Sequence, residues 1–185
     1  MKTNNTSDRI TLNELNRLLD NLNHSNNDTD KKIRIGLVLQ YYTSLRFGDC
    51  TRITFDDIIN NNKFSFTEQK TNKSKIITVN NKLKKEVTAY YESVDVPMYS
   101  PIMNFSIQYG NRKLKEFKAN YNVKNYSNDS KFKLSTHSIR KCSLYNIYKK
   151  AGINVSLKIS NHSSIDVHLG YICAEDDVKD AYLCL

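Results

Sequence analysis

Leu12, Leu15, Leu18, Leu19 and Leu22 recur at steps of three and four, the spacing of one helix face. Thr11-Leu12-Asn13-Glu14, just ahead of them, has the form of a capping box. A polar gap from Asn23 to Asp30 follows. Ile33, Leu37, Val38 and Tyr41 then mark a second helix, which reads as largely buried. Gly48 weakens the helical pattern beyond it and predicts a break or a second short helix near Arg46. After Arg52 the period changes. Ile53-Thr54-Phe55, the alternating Lys63 to Thr67 and the β-branched Ile76-Ile77-Thr78-Val79 predict two or three antiparallel strands over residues 53–79. The polar stretch Gln69 to Ser74 is their hairpin turn.

Asn80 suits the N-cap of a helix reaching about Val94, with Leu83, Val87, Tyr90 and Tyr91 on one side. Pro97 and Pro101 bracket a loop. A helix carrying Phe105, Tyr109, Leu114 and Phe117 follows, with a break expected near Gly110. Residues 120–133 are polar and Asn-rich and read as a second loop. Thr136 suits the N-cap of a helix from His137 to Lys150, ended by Ala151-Gly152 with Lys149 and Lys150 in its last turn. Short helices are expected around Val155–Ile159, from Ser163 to Tyr171, and from Asp177 to Leu185. The pattern describes an α+β fold, mostly helical with a small antiparallel sheet. Residues 1–10 are expected to be disordered, 11–175 to form the domain, and 176–185 a tail helix.

At 185 residues the chain suits one domain. Only 39% of it is hydrophobic, but 12 Tyr and 7 Phe supply bulk for a core. No apolar run approaches bilayer length and MKTNNTSDRI has no apolar signal region, so the chain reads as soluble, intracellular and without a membrane partner. The net charge of +9, spread along the chain, favours a polyanionic partner over charge carried for solubility alone. The scattered Cys50, Cys142, Cys173 and Cys184 contain no CxxC and suit reduced thiols.

The chemistry concentrates between Thr136 and Tyr171. His137 and Arg140 share one helix face, His162 follows, and Tyr171 comes nine positions after it. Each alone has a plainer reading: a solvated face, a capping or packed histidine, a core tyrosine. Together, two imidazoles, a guanidinium and a phenol are a set able to cut a phosphodiester without metal. His162 and His168 lack partners at zinc spacing, so neither a metal nor another cofactor is expected. His168 reads as a packed or surface histidine, and Lys141, Lys149 and Lys150 as solvated charge.

In combination and order these residues resemble the C-terminal signature of the tyrosine recombinases, or phage integrases. The matching positions are His137-Ser138-Ile139-Arg140, Ala151-Gly152, Asn161-His162-Ser163-Ser164 and Tyr171. The family's upstream arginine motif is met by Thr43-Ser44-Leu45-Arg46-Phe47-Gly48-Asp49, and its hairpin lysine by Gln69-Lys70-Thr71-Asn72-Lys73. The likeness covers roughly residues 30–175. Three positions depart from the family: Asn161 stands for a glycine, Asp49 for a glutamate and Gly48 for a small polar residue. Asn tolerates positive φ, so a glycine-like turn can survive at Asn161. Asp49 can still hold Arg46 or a nearby amide.

The resemblance implies a catalytic domain of the recombinase and type IB topoisomerase kind. Arg46 and Arg140 would clamp the nonbridging phosphate oxygens and His162 would donate to them. Tyr171 would be the nucleophile, His137 its base and Lys70 the acid for the leaving 5′-oxygen. Lys73 and Lys75 would touch phosphates or form a solvated hairpin. The implied partners are double-stranded DNA, further copies of the chain (dimer to tetramer) and accessory DNA-bending proteins. The tail after Tyr171 would pack on a neighbouring protomer or in cis. Family members usually carry an N-terminal DNA-binding domain; here only about thirty residues precede the second helix, which fits a fragment or a compact form. Three functions compete: a recombinase or integrase, a topoisomerase-like or hairpin-resolving enzyme, and a non-catalytic DNA-binding relic. The last is disfavoured because all six catalytic positions are filled.

Overall fold

Thr11 opens the first helix with a complete capping box. Its hydroxyl accepts the Glu14 amide, and the Glu14 carboxylate takes the Thr11 amide at 2.8 Å, starting α1 (Leu12–Asn23). The computed structural model describes residues 7–120 and 133–174. Most of the expected Asn-rich loop, the tail helix at 176–185 and Cys184 lie outside the described residues. Of the ten residues expected to be disordered, Ser7 to Ile10 are anchored. The Asp8 amide donates to the Lys133 carbonyl at 3.0 Å, Ile10 is buried, and the Arg9 guanidinium lies 3.4 Å above the Tyr145 ring.

The second helix, α2 (Asp28–Thr43), starts earlier than its apolar pattern. Asn27 caps it, and Asp28 and Asp30, expected in the polar gap, occupy a first turn that favours negative charge. Ile33, Ile35, Leu37, Val38 and Leu39 are all buried, so the helix is enclosed on nearly every side. It ends at Ser44, which adopts a left-handed conformation (φ 54°). Arg46 then leads into α3 (Phe47–Cys50). The expected break is therefore present, but Ser44 makes it, and Gly48 sits inside the short helix.

The optional third strand at Ile53-Thr54-Phe55 does not form; Phe55 instead opens a short helix, α4 (Phe55–Ile59). The reason is local: the Thr54 hydroxyl and the Asp57 carboxylate cap each other's amides and nucleate a turn. The sheet among the described residues has two strands, β1 (Lys63–Thr67) and β2 (Ser74–Thr78), antiparallel with Lys63 opposite Thr78. Asn80 caps α5 (Asn81–Glu92) as expected. The next helix, α6 (Ile107–Asn120), runs unbroken through Gly110. A Cβ at Gly110 would stand 2.8 Å from the Phe47 ring, so this glycine permits close approach and not a kink.

The cap of α7 (Thr136–Ala151) is Ser135, one residue before the expected Thr136, and Gly152 (φ 82°) ends it. Two short helices follow, α8 (Ile153–Ser160) and α9 (Ile165–Ile172). The main core lies among α1, α2, α5 and α7. A smaller cluster of Leu144, Ile172 and Ala174 seats α9 on α7. Among the described residues, no helix is long and apolar enough to cross a membrane. The fold is α+β and mostly helical, as the hydrophobic pattern required.

Candidate active site

Tyr171 lies in the last turn of α9, and its hydroxyl is 3.2 Å from His137 Nδ1 at the start of α7. The His162 ring meets the Tyr171 ring edge to face, with centroids 4.7 Å apart. Arg140, one turn beyond His137, points inward and is 1% exposed. Its Nη2 donates to the Ser160 carbonyl at 2.8 Å, and its buried Nη1 meets no protein acceptor. A guanidinium in that position is costly until an anion satisfies it.

Arg46 comes from the other end of the chain, and the way it is brought here is visible. The Ser44 hydroxyl is 2.6 Å from the Ser143 hydroxyl, and Ser143 in turn donates to the Tyr41 carbonyl at 2.5 Å. This bolts the end of α2 to α7 one turn from Arg140. Arg46 Nη1 donates to Glu68 Oε2 at 2.7 Å. Glu68 is fully buried and also accepts from Thr71 Oγ1 at 2.8 Å and from Lys75 Nζ at 3.0 Å. Burial alone would raise the Glu68 pKa. The Lys75 ammonium outweighs it, helped by Thr71 and Arg46, and brings the carboxyl down to about 2.

Lys75 does not stand free on the hairpin. Its ammonium bridges Glu68 and the Ile159 carbonyl at 3.0 Å, and so ties the hairpin to the C-terminal turn of α8. Arg140 holds the next carbonyl, Ser160, so two cations cap the negative end of that helix. The chain then turns through Asn161 at φ 58°, the glycine-like conformation expected of it, and delivers His162. Lys70 sits in the hairpin turn and lines a shallow cleft with Arg46, Asp49, Gln69, Thr136 and His137. Lys73 is exposed in the same turn. Asp49 holds the Gln69 amide and Arg52, both at 2.9 Å, and so fastens the hairpin instead of Arg46.

The electrostatics act on the phenol and both imidazoles. Burial raises the Tyr171 pKa, with Arg140 and Arg46 pulling against it. Burial, then the cations Arg140, Lys141, Arg46 and Lys70, hold His137 below the ordinary histidine range, which favours a neutral, proton-accepting ring. His162 is pushed down to about 4 by burial, His168, Arg140 and Arg46.

Three residues that sequence reasoning did not assign to the site belong beside it. Glu68 is the only acid between Lys63 and Lys75, a signal in hindsight. His168 is fully buried, with Nδ1 2.9 Å from His162 Nδ1. Lys141, expected to be solvated, is 3% exposed: it donates to the Ser7 carbonyl at 2.7 Å and its Nζ lies 5.3 Å from the Tyr171 ring centroid. Among the described residues no three His, Cys, Asp or Glu group as metal ligands. Cys50 and Cys142 are buried free thiols, and Cys173 is an exposed one.

The model of the phage integrase family matches residues 8–176. No curated protein sequence matches the chain. Its fold is similar to that of XerA recombinase (TM-score 0.67, 16% identity, covering 95% of this chain and 64% of that one). It is similar to the Tn1549 transposon integrase in complex with a circular intermediate DNA (TM-score 0.71, 13% identity, 91% and 62%). It is also similar to the catalytic domain of bacteriophage HP1 integrase (TM-score 0.58, 17% identity, 96% and 94%). The chain thus spans less than two thirds of the first two proteins and nearly all of the third.

Proposed function

The chain belongs to the phage integrase family, and we propose that it is a site-specific recombinase that cuts and rejoins DNA through a covalent 3′-phosphotyrosine at Tyr171. The observation that carries this is Arg140: a buried guanidinium with one terminal nitrogen unpartnered, on the helix whose His137 meets the Tyr171 hydroxyl. A DNA phosphodiester is an anion of the size and charge to satisfy it.

In the proposed step Tyr171 gives its proton to His137 Nδ1, and the phenolate oxygen attacks phosphorus in line. The bond from phosphorus to the 5′-oxygen breaks, and Lys70 protonates that leaving oxygen. Arg46, Arg140 and His162 hold the nonbridging oxygens, where charge accumulates. A 5′-hydroxyl from another strand reverses the step and joins new DNA. Lys73, exposed beside Lys70, is a candidate phosphate contact. Lys75 serves the same reaction from inside, by holding the hairpin. Residues 11–175 act as the catalytic domain. The DNA-bound state of the Tn1549 integrase supports double-stranded DNA as partner, and the lambda integrase dimer bound to a core site supports assembly of two to four copies on it.

The test uses a pool of nicked duplexes of randomised sequence, in which the short cleaved strand diffuses away and traps the adduct. A covalent adduct that forms with the natural chain and vanishes in Tyr171→Phe is expected. An adduct of equal yield in that variant overturns the assignment.

A further inference from the structure

His168 sits one helical turn before Tyr171 on α9 and is fully buried. Its surroundings determine where its protons are. Ser156 Oγ donates its single proton to the Leu144 carbonyl at 2.7 Å. The same oxygen is 2.8 Å from His168 Nε2, so it must accept there and Nε2 carries a proton. Burial and Arg140 lower the His168 pKa, which keeps the ring neutral and leaves a lone pair on Nδ1. That lone pair faces His162 Nδ1 at 2.9 Å, with Ser160 Oγ at 3.1 Å beside it. Ser160 Oγ also donates to the Leu157 carbonyl at 2.9 Å. Two imidazole nitrogens at this separation share one proton, and only His162 has one to give.

We infer that His168 is a positioning residue that locks His162 with Nδ1–H turned inward, so that its remaining nitrogen, Nε2, donates to phosphate only when the ring is protonated. The inference rests on the proposed function for its consequence and on the hydrogen-bond chain for its geometry. A neutral His162 locked in this way offers a lone pair at Nε2, which repels a phosphate oxygen. An imidazolium offers a proton there and keeps its bond to His168. The groups facing the pair are Arg140 from α7, Arg46 ahead of α3, Glu68 at the hairpin, itself paired with Lys75, and Tyr171 from α9. In the free chain these surroundings leave His162 neutral at pH 7. A phosphodiester between Arg46 and Arg140 adds the negative charge that favours the protonated ring. DNA binding thereby takes up a proton, and the site completes itself only when substrate is present.

Nitrogen NMR on the full chain with labelled histidine reads the tautomer directly. His162 is expected protonated at Nδ1 at neutral pH; a ring protonated at Nε2 overturns the inference. Single-turnover cleavage of a duplex recovered from the nicked pool supplies the second readout. With the natural chain the rate falls about tenfold per pH unit above the His162 pKa in the complex. His168→Asn, whose Oδ1 replaces the accepting nitrogen, keeps this alkaline limb. His168→Leu frees His162 to adopt the Nε2–H form and loses it. An alkaline limb unchanged in His168→Leu overturns the inference. Failure of every chain to form a Tyr171 adduct would instead remove the proposed function, while the nitrogen spectra still decide the histidine pair.

Discussion

Arg46 Nη1 donates to Glu68 Oε2 at 2.7 Å, joining the first arginine of the site to the base of the hairpin that carries Lys70. The carboxylate is fully buried and shared with Lys75, so it fixes two cations at once. Glu68→Ala leaves both without their counter-charge and is expected to cost about 3–5 kcal/mol in chemical denaturation. Glu68→Gln keeps the shape and is expected to cost less. The sign of the pH effect follows from a lowered pKa. The stability from Glu68 is complete above the ordinary glutamate pKa of about 4.3 and is lost as pH falls toward about 2. A Glu68→Gln chain showing the natural acid sensitivity between those values would remove this account.

In the proposed step, the Tyr171 hydroxyl and His137 Nδ1, 3.2 Å apart, set the acid side of the pH profile. His137 accepts a proton only when neutral, and burial with neighbouring cations lowers its pKa. Cleavage is therefore expected to persist below pH 6.5, the usual histidine midpoint, and to fall only at lower pH. His137→Ala slows single-turnover cleavage about 10²–10⁴-fold and flattens that acid limb. A limb retained in the variant assigns it to another group.

The two hairpin lysines separate by chemistry. Lys70→Ala is expected to slow cleavage of ordinary DNA about 10²-fold or more. A substrate with sulfur at the leaving 5′ position should recover most of the rate, because a thiolate (thiol pKa about 8.5) leaves without an acid. Lys75→Ala lowers stability, since its ammonium holds Glu68 and the Ile159 carbonyl, and sulfur does not rescue it. Rescue of both variants, or of neither, contradicts these roles.

Gly110 tests the packing that supports Arg46. A methyl group there would meet the Phe47 ring at 2.8 Å, and Phe47 is the residue after Arg46. Gly110→Ala is expected to destabilise by about 1–3 kcal/mol in thermal or denaturant unfolding, and to slow cleavage more than it lowers Tm would suggest. Natural stability and rate in this variant would show that the ring moves aside freely.

Much of the site was legible because its signals are short. His137 and Arg140 lie one turn apart on a helix whose end Gly152 marks, and Asn161 adopts the φ of 58° that its side chain tolerates. The third strand allowed for at Ile53-Thr54-Phe55 failed for an equally local reason: a Thr54–Asp57 capping box outweighed an apolar pattern too short to decide. The buried partners of Lys75, Lys141 and His168 are not legible in the sequence for a different reason. A lysine or histidine in a polar stretch looks the same whether it meets water or a buried carbonyl.

What the sequence by itself determined is therefore the longer helices, the hairpin, and the spacing of reactive groups within each. Those features depend on backbone preferences and on neighbours a few residues away. Only the tertiary structure decided which distant groups share a charge or a proton. Ser44 meets Ser143 across 99 positions, Lys75 meets the Ile159 carbonyl across 84, and Arg46 finds Glu68 across 22. Such pairings arise when packing excludes water and each buried polar group must find a partner within hydrogen-bond reach, a condition set by the whole fold and by no single segment.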